Sequence, residues 1–188
     1  MLRYFVISLV SILFSLYSFE SFIIFKEQKV SNQISNNHLL KENTYKDRTG
    51  KNWDNRTRLQ VYENLKKINN NVVIRFQPSY FLNKKNLSIF PLSGISNSET
   101  IHCNENGYFS IYQSDRYGFN NPDKEWNDKE IEYLLIGDSF THGSCVNRPN
   151  DIASVLRSLS NKSALNLGYG GNGPMIEYAT LREYIAPN

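Results

Sequence analysis

The chain has 188 residues, of which 40% are hydrophobic, and its formal net charge is +3 at pH 7. This apolar content is ordinary for a globular protein and argues against a chain that is disordered throughout. Basic and acidic residues are interspersed without a run of five like charges, so no nucleic-acid partner is expected. The two cysteines and three histidines lack metal-ligand spacing, so we expect no metal and no other cofactor.

An apolar segment opens the chain. Residues 4–25 contain one charge, Glu20, and as a helix they would span about 33 Å, enough for a bilayer core of about 30 Å. No small-x-small cleavage site ends the segment. We therefore expect residues 1–26 to be an uncleaved single-pass membrane anchor, with the globular part on the extracytoplasmic (periplasmic) side. A cleaved signal peptide and a buried core helix remain open as alternatives.

The next two regions differ in composition. Residues 27–71 are polar with little apolar periodicity, and we interpret them as a flexible stem that ends in a short helix at about 59–68. Residues 72–130 contain strand-like runs at 72–76 and 108–113, separated by proline and glycine. This second region is predicted to be a β-rich preamble to the last domain.

The last region, residues 131–188, alternates strand and helix signals. Short apolar runs at 131–136 and 164–167 fit strands of a parallel sheet that are buried on both faces. Each run is followed by a loop and then by a helical pattern, at 151–159 and 174–184. This alternation is the beginning of a layered α/β fold.

A serine directly follows the first of these strands. Ser139 lies in the segment GDSFT of residues 137–141, at the carboxyl edge of the predicted sheet, where open α/β sheets bind ligands. A nucleophilic serine needs a base, and it needs backbone N–H groups directed at the developing oxyanion. Its own N–H is one such donor. The segment is not the G-x-S-x-G elbow, because Thr141 replaces the final glycine.

The segment GDSFT resembles the first block of the SGNH/GDSL hydrolases. Residues 165–172, LNLGYGGN, resemble that family's second block, an N-x-G-x-x-G turn after the second strand. Residues 90–97, 103–107 and 114–119 resemble the preamble of a bacterial, membrane-anchored subgroup, in which a glutamate near the end of the anchor is also usual. The resemblance implies the first half of a flavodoxin-like, three-layer SGNH fold with a parallel sheet.

The same resemblance implies roles for individual residues. Ser139 is the catalytic nucleophile, Gly171 is the second oxyanion donor, and Asp138 supports the serine loop. The alternative, in which neither residue has a catalytic role, is that Ser139 is a helix N-cap and that Gly171 only makes a tight turn. The implied activity is hydrolysis of an ester outside the cytoplasm. An O-acyltransferase or esterase of envelope glycans, and a non-catalytic membrane-tethered module on an SGNH scaffold, are the alternatives.

Two family blocks do not occur in the sequence. They are G-x-N-D, which supplies an oxyanion asparagine, and D-x-x-H, which supplies the base and its acid. We therefore expect an incomplete and inactive catalytic domain, whose gene continues past Asn188 for about 150 residues. Both strands, 131–136 and 164–167, would then expose apolar faces and an unpaired edge. His142, three residues after the nucleophile, is the alternative for a local base, and His102 has no catalytic context.

Cys103 and Cys145 are the only cysteines of the chain. The anchored interpretation places them in an oxidising compartment, where disulfides persist. We predict a disulfide between them that ties the preamble to the loop after the nucleophile. Two buried free thiols are the alternative.

Overall fold

The computed structural model describes residues 2–185 as a mixed α/β chain with two compact units. The first unit ends at Trp53 and consists almost entirely of one helix, whereas the second unit begins at Asp54 and contains the strands. The strands of the described residues form two small sheets, one with three strands and one with two.

Helix α1 (Leu2–Thr49) is long and apolar enough near its start to be a candidate membrane span. Residues 27–49, which we expected to belong to a flexible stem, are therefore part of this helix. The reason is that this segment is rich in helix-forming Glu, Lys, Gln and Leu and contains no proline or glycine before Gly50. At Gly50 the backbone turns left-handed, with φ of 68°, and the helix ends.

Helix α2 (Arg58–Lys66) opens the second unit. It begins with a capping box, in which the Thr57 hydroxyl accepts from the backbone N–H of Gln60 and the Gln60 side chain accepts from the Thr57 N–H. Its buried Val61 packs against Val72 and Ile101 of the neighbouring sheet and joins helix and sheet in one core. The short helix predicted from the sequence is thus present with slightly different ends.

The three-stranded sheet confirms that the preamble contains strands. It consists of β1 (Val72–Ile74), β2 (Glu99–Ile101) and β3 (Ile111–Gln113) in that order. Strand β1 pairs with β2 in parallel, and β2 pairs with β3 antiparallel. Strand β2 was not predicted, and of the strand-like run 108–113 the second half forms β3, while Ser110 continues the hydrogen bonding with His102 and Cys103.

The predicted parallel pair is present in the second sheet. Strand β4 (Tyr133–Leu135) pairs with β5 (Ala164–Asn166), with Leu134 opposite Leu165. The one-turn helix α3 and then the helix α4 connect the two strands, and the helix α5 follows β5. Their bounds are Ser139–His142 for α3, Ile152–Ser160 for α4 and Pro174–Tyr184 for α5.

The two strands differ in burial, which corrects two of our expectations. Strand β4 is not buried on both faces, because Tyr133 and Leu134 are each 36% exposed. Strand β5, in contrast, exposes no apolar face, and Leu165 is fully buried. The difference arises because helix α4 and the loop around Trp126 cover β5, whereas β4 pairs with no other strand of the described residues.

Side chains also form hydrogen bonds with the backbone N–H and C=O groups on the free edge of β5. The Asn121 amide donates to the Asn166 carbonyl at 2.8 Å and accepts from the Asn166 N–H at 2.9 Å, as a neighbouring strand would. At the other end of β5, Arg157 donates to the Ala164 carbonyl, and the Ala164 N–H donates to Glu125 at 3.3 Å. This edge therefore has few free groups with which another strand could pair.

One buried carboxylate organises the loop that supplies these side chains. Asp115 accepts four hydrogen bonds, all at 2.8–2.9 Å. The donors are the backbone N–H groups of Tyr117 and Phe119, the Asn121 amide and the Trp126 indole. Asp115 therefore holds Asn121 in place against β5 and fixes the aromatic residues that cover the strand.

We predict that Asp115→Ala lowers the free energy of unfolding by about 3–5 kcal/mol, because several buried donors lose their acceptor together. Asp123→Ala is the matched control in the same loop. Its ion pair with Arg116 is exposed to solvent, so we expect a much smaller loss than in Asp115→Ala. Urea unfolding monitored by tryptophan fluorescence measures both variants, and equal effects of the two would contradict the role of Asp115.

Candidate active site

The predicted nucleophile is the first residue of α3. Asp138 precedes it as the N-cap, and its carboxylate accepts from the Phe140 N–H at 3.3 Å. The Asp138 side chain therefore caps the turn that begins at Ser139. The alternative in which Ser139 itself is the N-cap is wrong, because Asp138 occupies that position.

Ser139 and Gly171 line the same cavity, which has a volume of about 750 Å³. They come from the turns after β4 and β5, the two strands of the parallel pair. Parallel strands end at the same edge of their sheet, so the pairing itself brings the two turns together. The cavity also has polar and aromatic lining residues: Arg58, Arg75, Gln77, Tyr80, His102, Glu105, Asp138, Phe140, Ser144, Asn150 and Asp151.

The backbone N–H groups of Ser139 and Gly171 both lack an acceptor among the hydrogen bonds of the described residues. At Gly171 the φ angle is 88°, a conformation that residues with a side chain rarely adopt. Two unused N–H donors at one cavity are the feature that an oxyanion hole requires.

Residues of the preamble form one wall of this cavity, which the sequence analysis did not predict. Arg75 follows β1 directly, and its guanidinium donates to the carbonyl of Gly170. Gln77 lies against the next residue, since a Cβ atom at Gly171 would come within 2.8 Å of the Gln77 side-chain carbonyl carbon. Nothing in the local sequence indicated these residues, because their partners lie more than ninety positions away.

His142 does not reach the cavity, although it lies three residues from Ser139. Its side chain is fully buried, and its ring packs at centroid distances of 4.8–5.3 Å against His102, Tyr112 and Tyr169. Burial lowers the pKa of His142 well below its usual value, and the neighbouring His102 and Arg75 lower it further. The structure therefore gives no support to His142 as a local base.

His102 lies at the boundary between this aromatic cluster and the cavity. Burial is the main cause that lowers its pKa to about 3, with a contribution from the positive charges of Arg75 and Arg58. Its imidazole is therefore neutral and a weak base at physiological pH. His102 had no catalytic context in the sequence, and the structure makes it a lining residue of the candidate site.

A disulfide joins Cys103 and Cys145, with their Cα atoms 5.1 Å apart. Cys103 lies in the loop after β2, and Cys145 lies in the loop after α3, so the bond ties the preamble to the nucleophile loop. Hydrogen bonds strengthen the same junction, since Asn106 donates to the Cys145 carbonyl at 3.0 Å and Ser110 donates to the Val146 carbonyl at 3.2 Å.

No protein-family model, curated protein or solved structure matches this chain. The description of the site therefore relies on the positions of its own residues. Within residues 2–185, no group of three or more His, Cys, Asp or Glu side chains is arranged to hold a metal ion.

The disulfide predicts a covalently linked peptide pair in a non-reduced digest. Mass spectrometry should find the Cys103 peptide joined to the Cys145 peptide, and reduction before digestion should separate them. Replacing both cysteines by serine should lower stability by about 4 kcal/mol in the chain-entropy model, because the bond spans 42 residues. Alkylation of both thiols without prior reduction would show that the bond is absent.

The two buried histidines predict a loss of stability in acid. Both are neutral in the folded chain with lowered pKa values, whereas in the unfolded chain their pKa is about 6.5. The unfolded state therefore binds more protons below about pH 6.5, and stability falls as the pH drops from there toward about 3. Each histidine contributes a slope of up to about 1.4 kcal/mol per pH unit.

His142→Phe should remove one of these two contributions while filling the same aromatic cluster. We therefore expect a shallower fall in the free energy of unfolding between pH 6.5 and 4 than in the wild type. His38→Phe is the matched control, because His38 lies half-exposed on α1. An unchanged pH slope in His142→Phe, measured by urea unfolding at each pH, would contradict this account.

Proposed function

We propose that the chain bears the nucleophile of a membrane-anchored SGNH/GDSL-type serine hydrolase that cleaves ester bonds outside the cytoplasm. One observation carries the proposal: Ser139 and two backbone N–H groups without acceptors meet at one cavity, at the carboxyl edge of a parallel strand pair. The apolar start of α1 supports the membrane anchor, as a candidate span near the N-terminus.

In the proposed reaction, the Ser139 Oγ attacks the acyl carbonyl carbon of the ester while a general base takes the hydroxyl proton. The carbonyl oxygen becomes an oxyanion that the N–H groups of Ser139 and Gly171 stabilise. The C–O bond to the alcohol then breaks, and the alcohol leaves with the proton. Water attacks the acyl-enzyme, and a carboxylic acid and free Ser139 result.

The two histidines near Ser139 do not supply the base. His142 is enclosed in the aromatic cluster, and the low pKa of His102 makes it a poor proton acceptor. Asp138 is used as the cap of α3. This observation favours a second candidate function, a non-catalytic membrane-tethered module that binds its ligand in the same cavity.

The cavity suits a substrate larger than a simple ester. Its volume of about 750 Å³ lies in the range of sites for drug-sized ligands. Phe140 and Tyr80 are 82% and 67% exposed at its lining, and amide and carboxylate groups lie beside them. Aromatic rings with polar neighbours suit an acylated glycan, so acyl transfer to a sugar hydroxyl is an alternative to hydrolysis with the same acyl-enzyme.

The test is covalent labelling of the protein, expressed from its own reading frame and isolated in membranes, by a fluorophosphonate probe. We expect labelling on Ser139 in the wild type and loss of labelling in Ser139→Ala. Ser158→Ala, which changes an exposed serine of α4, is the matched control and should label normally.

Two results would count against the proposal. Equal labelling of Ser139→Ala and wild type would remove Ser139 from the chemistry, and a wild type that never labels would favour the non-catalytic module. If labelling succeeds, incubation with an acetylated glycan and a second sugar separates the remaining alternatives. Free acetate indicates hydrolysis, and a newly acetylated sugar indicates acyl transfer.

A further inference from the structure

We infer that Arg75 is a positioning residue that orients the Gly171 N–H for the oxyanion. This inference rests on the proposed function and extends it to a residue outside the family-like blocks. Its starting point is the hydrogen bond from the Arg75 guanidinium to the Gly170 carbonyl.

The geometry of the peptide bond links this contact to the oxyanion donor. The Gly170 carbonyl and the Gly171 N–H belong to the same peptide unit, which is planar and trans. In such a unit the C=O and N–H vectors point in opposite directions. A guanidinium that holds the carbonyl on one side therefore directs the N–H to the other side, where the described residues offer it no acceptor.

The charge of Arg75 adds to the effect of its position. A hydrogen bond from an ionised donor is stronger than one between neutral groups. Donation to the carbonyl also polarises the peptide unit, and this makes its N–H a better donor through cooperativity. Arg75 thus acts through the peptide bond without touching the substrate.

Arg75 is itself held in place from both ends. Its backbone N–H donates to the Ile101 carbonyl at 2.9 Å and continues the β1–β2 ladder past the end of the strand. Its guanidinium carbon lies over the Tyr169 ring, 4.7 Å from the centroid, and Tyr169 is fully buried. The three-stranded sheet therefore holds the Arg75 guanidinium in place, and the guanidinium in turn orients the turn that follows β5.

The hydrogen bond from Arg75 to the carbonyl of residue 170 requires a glycine at that position. A Cβ atom at Gly170 would come within 2.7 Å of an Arg75 Nη atom and within 3.3 Å of the Ser144 hydroxyl. Any larger residue would push the guanidinium away from the carbonyl. Gly170→Ala is therefore an independent variant that should reproduce the effect of losing Arg75.

The test has a spectroscopic part that does not depend on activity. Residues 170 and 171 form the only Gly-Gly pair in the sequence. A chain labelled with ¹³C and ¹⁵N in glycine alone therefore gives one carbonyl-to-amide cross-peak, which reports the Gly170 carbonyl and the Gly171 N–H together. In Arg75→Met we expect the carbonyl resonance to move upfield, as the charged hydrogen bond is lost, and the amide resonance to move with it.

The second part measures the rate of Ser139 labelling by the fluorophosphonate. Loss of a whole oxyanion donor slows catalysis by about 10²–10³-fold, so a misoriented donor should slow labelling by about 10–100-fold. Arg75→Lys keeps the positive charge but lacks the planar set of N–H donors of the guanidinium, so its labelling rate should lie between those of the wild type and Arg75→Met. Added guanidinium ion should partly restore Arg75→Ala. Arg116→Met, which changes an arginine paired with Asp123 away from the cavity, is the control.

The outcomes separate the inference from the proposed function. Unmoved resonances in a folded Arg75→Met chain would overturn the inference, and so would moved resonances with a labelling rate within twofold of the wild type. A wild type that does not label contradicts the proposed function and removes any catalytic role of Arg75, while the cross-peak still reports whether the contact exists. Moved resonances with slowed labelling, also seen in Gly170→Ala, support the inference.

Discussion

The turn after β5 fits between two neighbouring segments only because Gly168 and Gly170 lack side chains. A Cβ atom at Gly168 would lie 2.5 Å from the Cβ of Thr141 in α3, and one at Gly170 would lie 2.7 Å from Arg75. Atoms cannot approach so closely, so a side chain at Gly168 would displace α3 and a side chain at Gly170 would displace the Arg75 guanidinium. The candidate site depends on this close approach, because it brings Ser139, Gly171 and Arg75 to one cavity.

A second constraint keeps β5 in place under that turn. Strand β5 has only β4 as a strand partner in the described part of the chain, and a two-stranded sheet is only marginally stable by itself. The Asp115 loop compensates, because it places Asn121 along the free edge and packs Phe119 against Leu165 and Leu167. A polar loop of the preamble thus replaces a strand, and the preamble and the α/β region share one core.

Local sequence signals predicted the α/β region well and the contacts between regions poorly. Helix α5 has the predicted bounds, and α4 begins at Ile152, one residue after the predicted start, because a proline or a capping side chain marks each start. The expectation that Ser139 and Gly171 share a site came from the resemblance of their two segments to family blocks, and both residues line one cavity because parallel strands end at one sheet edge. Strand β2 was missed because Ile101 is the one apolar residue among its three, so the segment lacks the apolar pattern by which the other strands were predicted.

The remaining misses have one physical cause, which is that burial and long-range contacts are decided by residues distant in sequence. The run 131–136 has the composition of a buried strand, yet its exposure depends on whether other elements cover β4. Arg75 and Gln77 lie in an unremarkable extended segment, and only the fold shows that they contact the glycine turn. Glycines leave the peptide planes of a turn many orientations, so the turn after β5 depends on contacts from outside it. Asp138 caps the turn that begins at Ser139, whereas Arg75, which follows a strand of the other sheet, donates to the Gly170 carbonyl, so the preamble is part of the candidate site and more than a spacer.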